Sequence, residues 1–119
     1  MAEVLTDIGT GWVASKLNEA IQTTADYVGW GTGVGIADKI DTALFAESTE
    51  ARVLATRSQP DSNTVQWVAL LTANSNKIIT NAGNFTTSTG GDLICHANWT
   101  GVPLETGDKI EITIQLTIL

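Results

Sequence analysis

Apolar and polar residues alternate most cleanly near the end of the chain. In "KIEITIQLTIL", Ile110, Ile112, Ile114, Leu116 and Ile118 share one face, and Lys109, Glu111, Thr113, Gln115 and Thr117 share the other. Successive side chains of a strand point to opposite faces, so this run predicts a half-buried antiparallel strand. A slip of one residue would turn the whole aliphatic row into water, so its register is well specified. "TVQWVALLTA" (64–73) reads differently. Val65, Trp67, Ala69 and Leu71 form one apolar face, while Val68 and Leu70 make the other apolar in part. That pattern predicts a central strand, or one whose outer face is covered.

"ARVLATRS" (51–58), "KIITNAGNF" (77–85) and "LICHANW" (93–99) read as further strands, and another begins at Tyr27. Clusters of Gly, Pro, Asn, Asp and Ser separate them at 59–63, 74–76, 86–92 and 100–108. About six strands with turns between them, and no helices interleaved to build a parallel sheet, predict an all-β fold. The expected architecture is an antiparallel β-sandwich, jelly-roll-like, over residues 27–119.

Residues 1–26 follow another period. In "GWVASKLNEAIQ", Trp12, Val13, Leu17, Ala20 and Ile21 fall on one helical face. The spacing predicts a short amphipathic helix over roughly 11–21, with Asp7 or Thr10 as its cap. Such a helix packs on its own domain or serves as an arm that reaches a neighbouring subunit.

Composition narrows the function. The 119 residues suit one domain, and 43% hydrophobic content is enough for a core. Only 16% of residues are charged, and Thr, Asn, Ser and Gly make the polar faces. Six basic against thirteen acidic side chains leave a net charge of −7. Nucleic-acid affinity rests on Lys and Arg displacing counterions, so DNA and RNA are not expected partners. No stretch has the length of a membrane span, and the first residues lack the basic and apolar regions of a signal peptide. The single cysteine, Cys95, excludes an internal disulfide.

The glycines of "YVGWGTGVG" (27–35) invite a phosphate-binding reading, but the spacing rejects it. The sixth positions counted from Gly29, Gly31 and Gly33 are Val34, Ile36 and Asp38, and no glycine here precedes a lysine. These glycines instead suit a strand that bends, bulges or runs close to another backbone. Cys95 and His96 are neighbours on a strand and point to opposite faces, so they cannot act on one atom. His96 is the only histidine, which removes most triads and zinc sites. Cys95 shares a face with Leu93, Ala97 and Trp99 and reads as a buried small hydrophobe. Asp38, Asp41, Glu47 and Glu50 lack the spacing of an EF-hand and read as a solvated acidic loop. Carboxylate pairs of the glycosidase kind are not singled out. The expectation is no catalytic residue, no metal and no cofactor.

Four tryptophans, Trp12, Trp30, Trp67 and Trp99, are many for this length. Burial is the ordinary fate of tryptophan, but it also concentrates at interface centres and stacks on sugars. Trp12, Leu17, Ile21 and Trp30 are the candidate interface residues.

Four motifs then stand in order: Gly-Trp-Gly-Thr-Gly at 29–33, Asp-Thr-x-Leu-x-x-Glu at 41–47, Ile-Thr-x-Ala-Gly-x-Phe at 79–85 and Gly-Asp at 107–108. This order, behind a "GWVASKL" segment, resembles a group of small structural proteins from the virion modules of tailed bacteriophages. Asn84 departs from the pattern, standing where an aliphatic residue is expected. The resemblance implies a virion part without enzymatic activity, made in the host cytoplasm and displayed on the particle. It implies a capsid decoration (cement) protein: a homotrimer bound to the major capsid protein that stabilises the shell. A tail, neck or fibre appendage, receptor- or glycan-binding, is the alternative.

Overall fold

The computed structural model describes residues 2–17 and 24–119. In chain order the elements are β1 (Ala2–Leu5), α1 (Asp7–Leu17), β2 (Tyr27–Gly31), β3 (Val53–Leu54), β4 (Thr56–Asp61), β5 (Thr64–Thr72), β6 (Lys77–Phe85), β7 (Leu93–Leu104) and β8 (Lys109–Thr117). They form two antiparallel sheets, a larger one in the order β1-β7-β6-β2-β3 and a smaller one in the order β4-β5-β8. The fold is the expected all-β antiparallel sandwich with a short N-terminal helix. Its connectivity contains one winding step of a jelly roll. β5 and β8 pair in the smaller sheet, and β6 and β7, which lie between them in sequence, pair in the larger.

The purest sequence patterns become the longest ladder. β5 and β8 pair without a break from Thr64↔Thr117 to Thr72↔Lys109. β5 lies between β4 and β8, as its two apolar-leaning faces require. Its inward residues Trp67, Ala69 and Leu71 are buried between the sheets against Val28, Trp30, Ile79, Ala82 and Ile112. Along β8 only Ile112 is fully buried; Ile110, Ile114 and Leu116 are partly covered, and Ile118 lies beyond the strand and is exposed.

The N-terminal region departs from expectation in two ways. Residues 2–5 form an edge strand of the larger sheet, with Ala2↔Asn98 and Leu5↔Cys95 in register. This segment is therefore part of the sandwich that was expected to begin at residue 27. The helix starts at Asp7, four residues earlier than its apolar spacing suggests. The cap is Thr6, in place of Asp7 or Thr10. Thr6 Oγ1 accepts the Gly9 N–H at 2.9 Å and donates to the Leu93 carbonyl at 2.6 Å. One hydroxyl thus satisfies an orphan donor of the first turn and ties the helix to β7. Asp7 in the first turn and Lys16 in the last complement the helix dipole.

Candidate interaction surfaces

Directly opposed residues of paired strands share a face. On the outer face of the larger sheet, Gly29, Gly83 and His96 form one row; Gly31, Asn81 and Asn98 form the next. The long connection 32–52 lies over these rows, and the glycines allow it to come close. A Cβ at Gly31 would stand 2.4 Å from the Phe45 carbonyl oxygen, and one at Gly33 2.7 Å from the Phe45 backbone. Close approach to another backbone, one of the roles expected of these glycines, is the one they serve. The Thr32 N–H donates to Ala46 O at 3.0 Å, Gly33 N–H to Phe45 O at 2.8 Å and Ser48 N–H to Trp30 O at 2.9 Å.

Asn81 holds the same loop from below. Its Oδ1 accepts the Phe45 N–H at 3.0 Å and its Nδ2 donates to the Phe45 carbonyl at 3.0 Å. His96 stands beside it, 1% exposed, with Nε2 3.0 Å from Asn81 Oδ1 and Nδ1 2.7 Å from Asp41 Oδ2. The Phe45 ring packs against the imidazole at 4.7 Å between centroids. Cys95 faces the other way, towards the space between the sheets. The two side chains are therefore separated by the sheet, as the period of two predicts. Burial, with the nearby Glu3 charge, pushes the Cys95 thiol up to about 12, which keeps it protonated and unreactive at neutral pH.

Three of the four acidic residues expected to be solvated are instead turned onto partners. Glu47 meets the Arg52 cation, Glu50 meets the Lys77 cation and Asp41 meets the His96 imidazole. Arg52 takes Glu47 through Nε at 2.7 Å and a terminal nitrogen at 2.9 Å, and its other terminal nitrogen donates to the Thr87 and Gly90 carbonyls. Its guanidinium lies 3.4 Å from the centre of the Phe85 ring, a cation–π contact that closes a small outer core of Leu44, Phe85, Leu93 and Tyr27. Asp38 alone keeps to its own turn, accepting the Ile40 N–H at 3.2 Å. Among the described residues no group of three His, Cys, Asp or Glu side chains is placed to hold a metal ion.

Glu50 has the densest set of partners. Its Oε1 accepts the Trp30 indole N–H at 3.1 Å and the Ser48 hydroxyl, and its Oε2 accepts Lys77 Nζ at 2.5 Å and the Asn74 N–H at 3.0 Å. Burial pushes this carboxyl up, but the Lys77 ammonium, the Ser48 hydroxyl and the Asn74 N–H outweigh it and hold the group at about 2, against an ordinary 4.5. A depressed carboxylate contributes stability that is complete above the unfolded value and is lost as pH falls towards the folded one. After allowance for solvent screening, about 1–2 kcal/mol is expected to disappear between about pH 4.5 and 2. Denaturant unfolding measured across that window checks this. The Glu50→Gln variant should lose stability at pH 7 and show a flatter acid limb than the parent.

The tryptophans sort themselves by face. Trp30 is 1% exposed and packs with Val28 between the sheets, so it anchors the core and not an interface. Trp67 is its counterpart in the smaller sheet. Its indole N–H donates to Asp26 Oδ1 at 3.0 Å, and Asp26 also receives Arg57 at 2.8 Å. Both buried indoles are thus anchored by a carboxylate that a cation balances. Trp12 is half-buried on α1, packs against the main core and carries Lys16 over its ring at 5.8 Å. The helix therefore packs on its own domain. Leu17 ends α1; its side chain and the whole of Ile21 lie outside the described residues.

Two surface features were not legible in the sequence. The first is a cleft of about 400 Å³ where the sandwich is open along one side, between β1 and β7 of the larger sheet and β8 of the smaller. Leu5, Ala97, Trp99, Ile114 and Leu116 line it, with Glu3 and Glu111 among its polar residues. The partly covered aliphatic row of β8 faces this space. The second is the outward side of segment 32–40, where Val34, Ile36 and Ile40 are 95%, 77% and 70% exposed. It is grouping within one segment, and not the exposure of single apolar side chains, that marks an interaction surface. No helix among the described residues is long and apolar enough to cross a membrane. No family model, curated protein or solved structure matches the chain.

Proposed function

We propose that this protein is a structural part of a tailed-bacteriophage virion. Within that class we assign it as a capsid decoration protein that associates with its own copies and with the major capsid protein on the particle surface. The observation that supports this reading best is the convergence of the motifs behind the resemblance. The glycines of 29–33, the segment 41–47 and the strand residues of 79–85 meet at one place, where the loop lies on the outer face of the larger sheet. The fourth motif closes the β7–β8 connection. Gly107, at φ 91°, donates to Ala73 O at 2.8 Å, and Asp108 O accepts the Ala73 N–H at 2.8 Å. All four are committed to architecture.

Asn84, the one departure from the pattern, is architectural too. It sits at an irregularity of the β6–β7 ladder, fully buried. Its Oδ1 accepts the Cys95 N–H at 3.0 Å and its Nδ2 donates to Ala25 O at 3.0 Å, bonds an aliphatic side chain could not make.

What this surface offers a partner is chiefly apolar contact. The mechanism is passive: a subunit that binds only the assembled shell stabilises it by mass action, in proportion to the logarithm of its free concentration over its dissociation constant. The test is to label the protein in whole virions and locate it by electron microscopy. Label over the head is the expected result. Label confined to the tail overturns the decoration role in favour of an appendage, and absence from the particle overturns the virion reading altogether.

A further inference from the structure

Segment 32–40 is held rigidly. Gly33 and Gly35 lie flat on Phe45, where a Cβ at either would come within 2.7 and 2.8 Å of it. Gly33 N–H donates to Phe45 O at 2.8 Å, Ala37 N–H to Asn98 Oδ1 at 2.9 Å, Asp38 N–H to Asp41 Oδ2 at 2.8 Å, and Lys39 O accepts the Asp7 N–H at 2.7 Å. The glycines take the inner side, so Val34 and Ile36 point away from the molecule. An exposed pair of branched aliphatics on a pinned backbone has already lost the freedom that binding would otherwise remove. Beside it stands Lys39, whose ammonium has no ion pair or hydrogen bond among the described residues.

The cleft between β1 and β8 is the complement of this ridge. It is apolar within and it is lined also by Glu3, which shares the inward face with Leu5 and Ala97 and whose carboxylate has no ion pair or hydrogen bond among the described residues. Elsewhere on the molecule Arg52, Arg57 and Lys77 are already paired with Glu47, Asp26 and Glu50. Lys39 is thus a cation without a carboxylate partner beside the apolar ridge, and Glu3 a carboxylate without a cation partner at the apolar cleft.

We propose that segment 32–40 of one copy seats in the β1–β8 cleft of another, with Val34 and Ile36 against Ile114, Leu116 and Trp99, and Lys39 near Glu3. The ridge lies on the outer face of the larger sheet and the cleft opens between the sheets, so the contact is head-to-tail. A contact of that type closes into a ring or continues as a filament. A ring of three is the form that joins this contact to the proposed decoration role, but the contact itself does not depend on that role.

Two surface-directed variants test it: Ile36→Asp on the ridge and Glu3→Lys at the cleft, with Ile114→Asp as a second cleft variant. Sedimentation of the full chain should show the parent as a multiple of 12.6 kDa, three copies in the ring form, and Ile36→Asp and Ile114→Asp at the single-chain mass. Each of these two retains one working half. Mixed in equal amounts they should form a species of twice 12.6 kDa and nothing larger. Glu3→Lys alone should weaken association roughly tenfold and more at low salt, and combination with Lys39→Glu should restore it. A monomeric parent at every concentration, variants that keep the parent's mass, or a mixture that stays monomeric would each overturn the proposal. Sedimentation reads the contact and virion labelling reads the location, so the two can fail separately.

Discussion

Trp67→Ala is expected to lower the free energy of unfolding by about 3–5 kcal/mol, the range for a large aromatic removed from a packed core. Trp67 is fully buried between the sheets. Its removal leaves a cavity in the main core cluster and takes a donor from Asp26. Trp67→Phe separates the two effects. The phenyl ring fills part of the space but cannot donate, so the loss should be smaller, about 1.5–3 kcal/mol for the missing hydrogen bond to a charged acceptor. Guanidinium unfolding followed by circular dichroism measures both. A loss below about 1 kcal/mol for the alanine variant would contradict the central place given to this side chain.

The second large effect belongs to Gly31→Ala. The added methyl would meet the Phe45 carbonyl oxygen at 2.4 Å, Asn81 Nδ2 at 2.8 Å and the Ala46 carbonyl oxygen at 3.1 Å. Two of these are backbone atoms, and the third belongs to a side chain that is itself hydrogen-bonded to Phe45. Relief requires the loop to lift off the sheet, and the expected loss is about 2–4 kcal/mol. Hydrogen exchange gives the local signature: the amides of Thr32, Gly33 and Ser48 bond across this contact and should lose protection together. Gly11→Ala is the control. It lies in α1 with nothing within 4 Å of its added methyl, so it should stabilise by about 0.5–1 kcal/mol. Equal effects at the two glycines would mean that close approach is not what the loop depends on.

The parts of this fold that were legible in the sequence are those written in short-range pattern. β6 runs from Lys77 to Phe85, the span its residues suggested, and β8 keeps the alternation that announced it. The opposite orientation of Cys95 and His96 follows from the strand period alone. What stayed hidden depends on partners far along the chain. β1 is four residues with no alternation to speak of, and it exists because β7, about ninety residues later, offers an edge. Thr6 becomes the cap because the Leu93 carbonyl lies within reach of its hydroxyl. The acidic connection looked solvated because His96, Lys77 and the loop carbonyls that fix Arg52 stand tens of residues away. Asn81 and Asn84 were the available signal. Asparagine is depleted in strands, and two of them inside one buried strand implied backbone groups that needed a side-chain partner. The cleft could not be read at all, because the same alternation describes a strand whether its apolar row is fully or only partly covered.

The unbroken β5–β8 ladder also bears on how the molecule is made. Its first pair, Thr72↔Lys109, spans the whole β6–β7 hairpin, and its last, Thr64↔Thr117, reaches further still. Loop-closure entropy favours the local hairpins β4–β5 and β6–β7 early, while β8 must find β5 across an already ordered segment. Non-local sheets of this kind fold in milliseconds to seconds, against microseconds for helical bundles. Through that interval Ile110, Ile112, Ile114 and Leu116 face water on an unpaired strand, so the nascent chain is most open to misassociation at the segment whose alternation is the most regular in the protein.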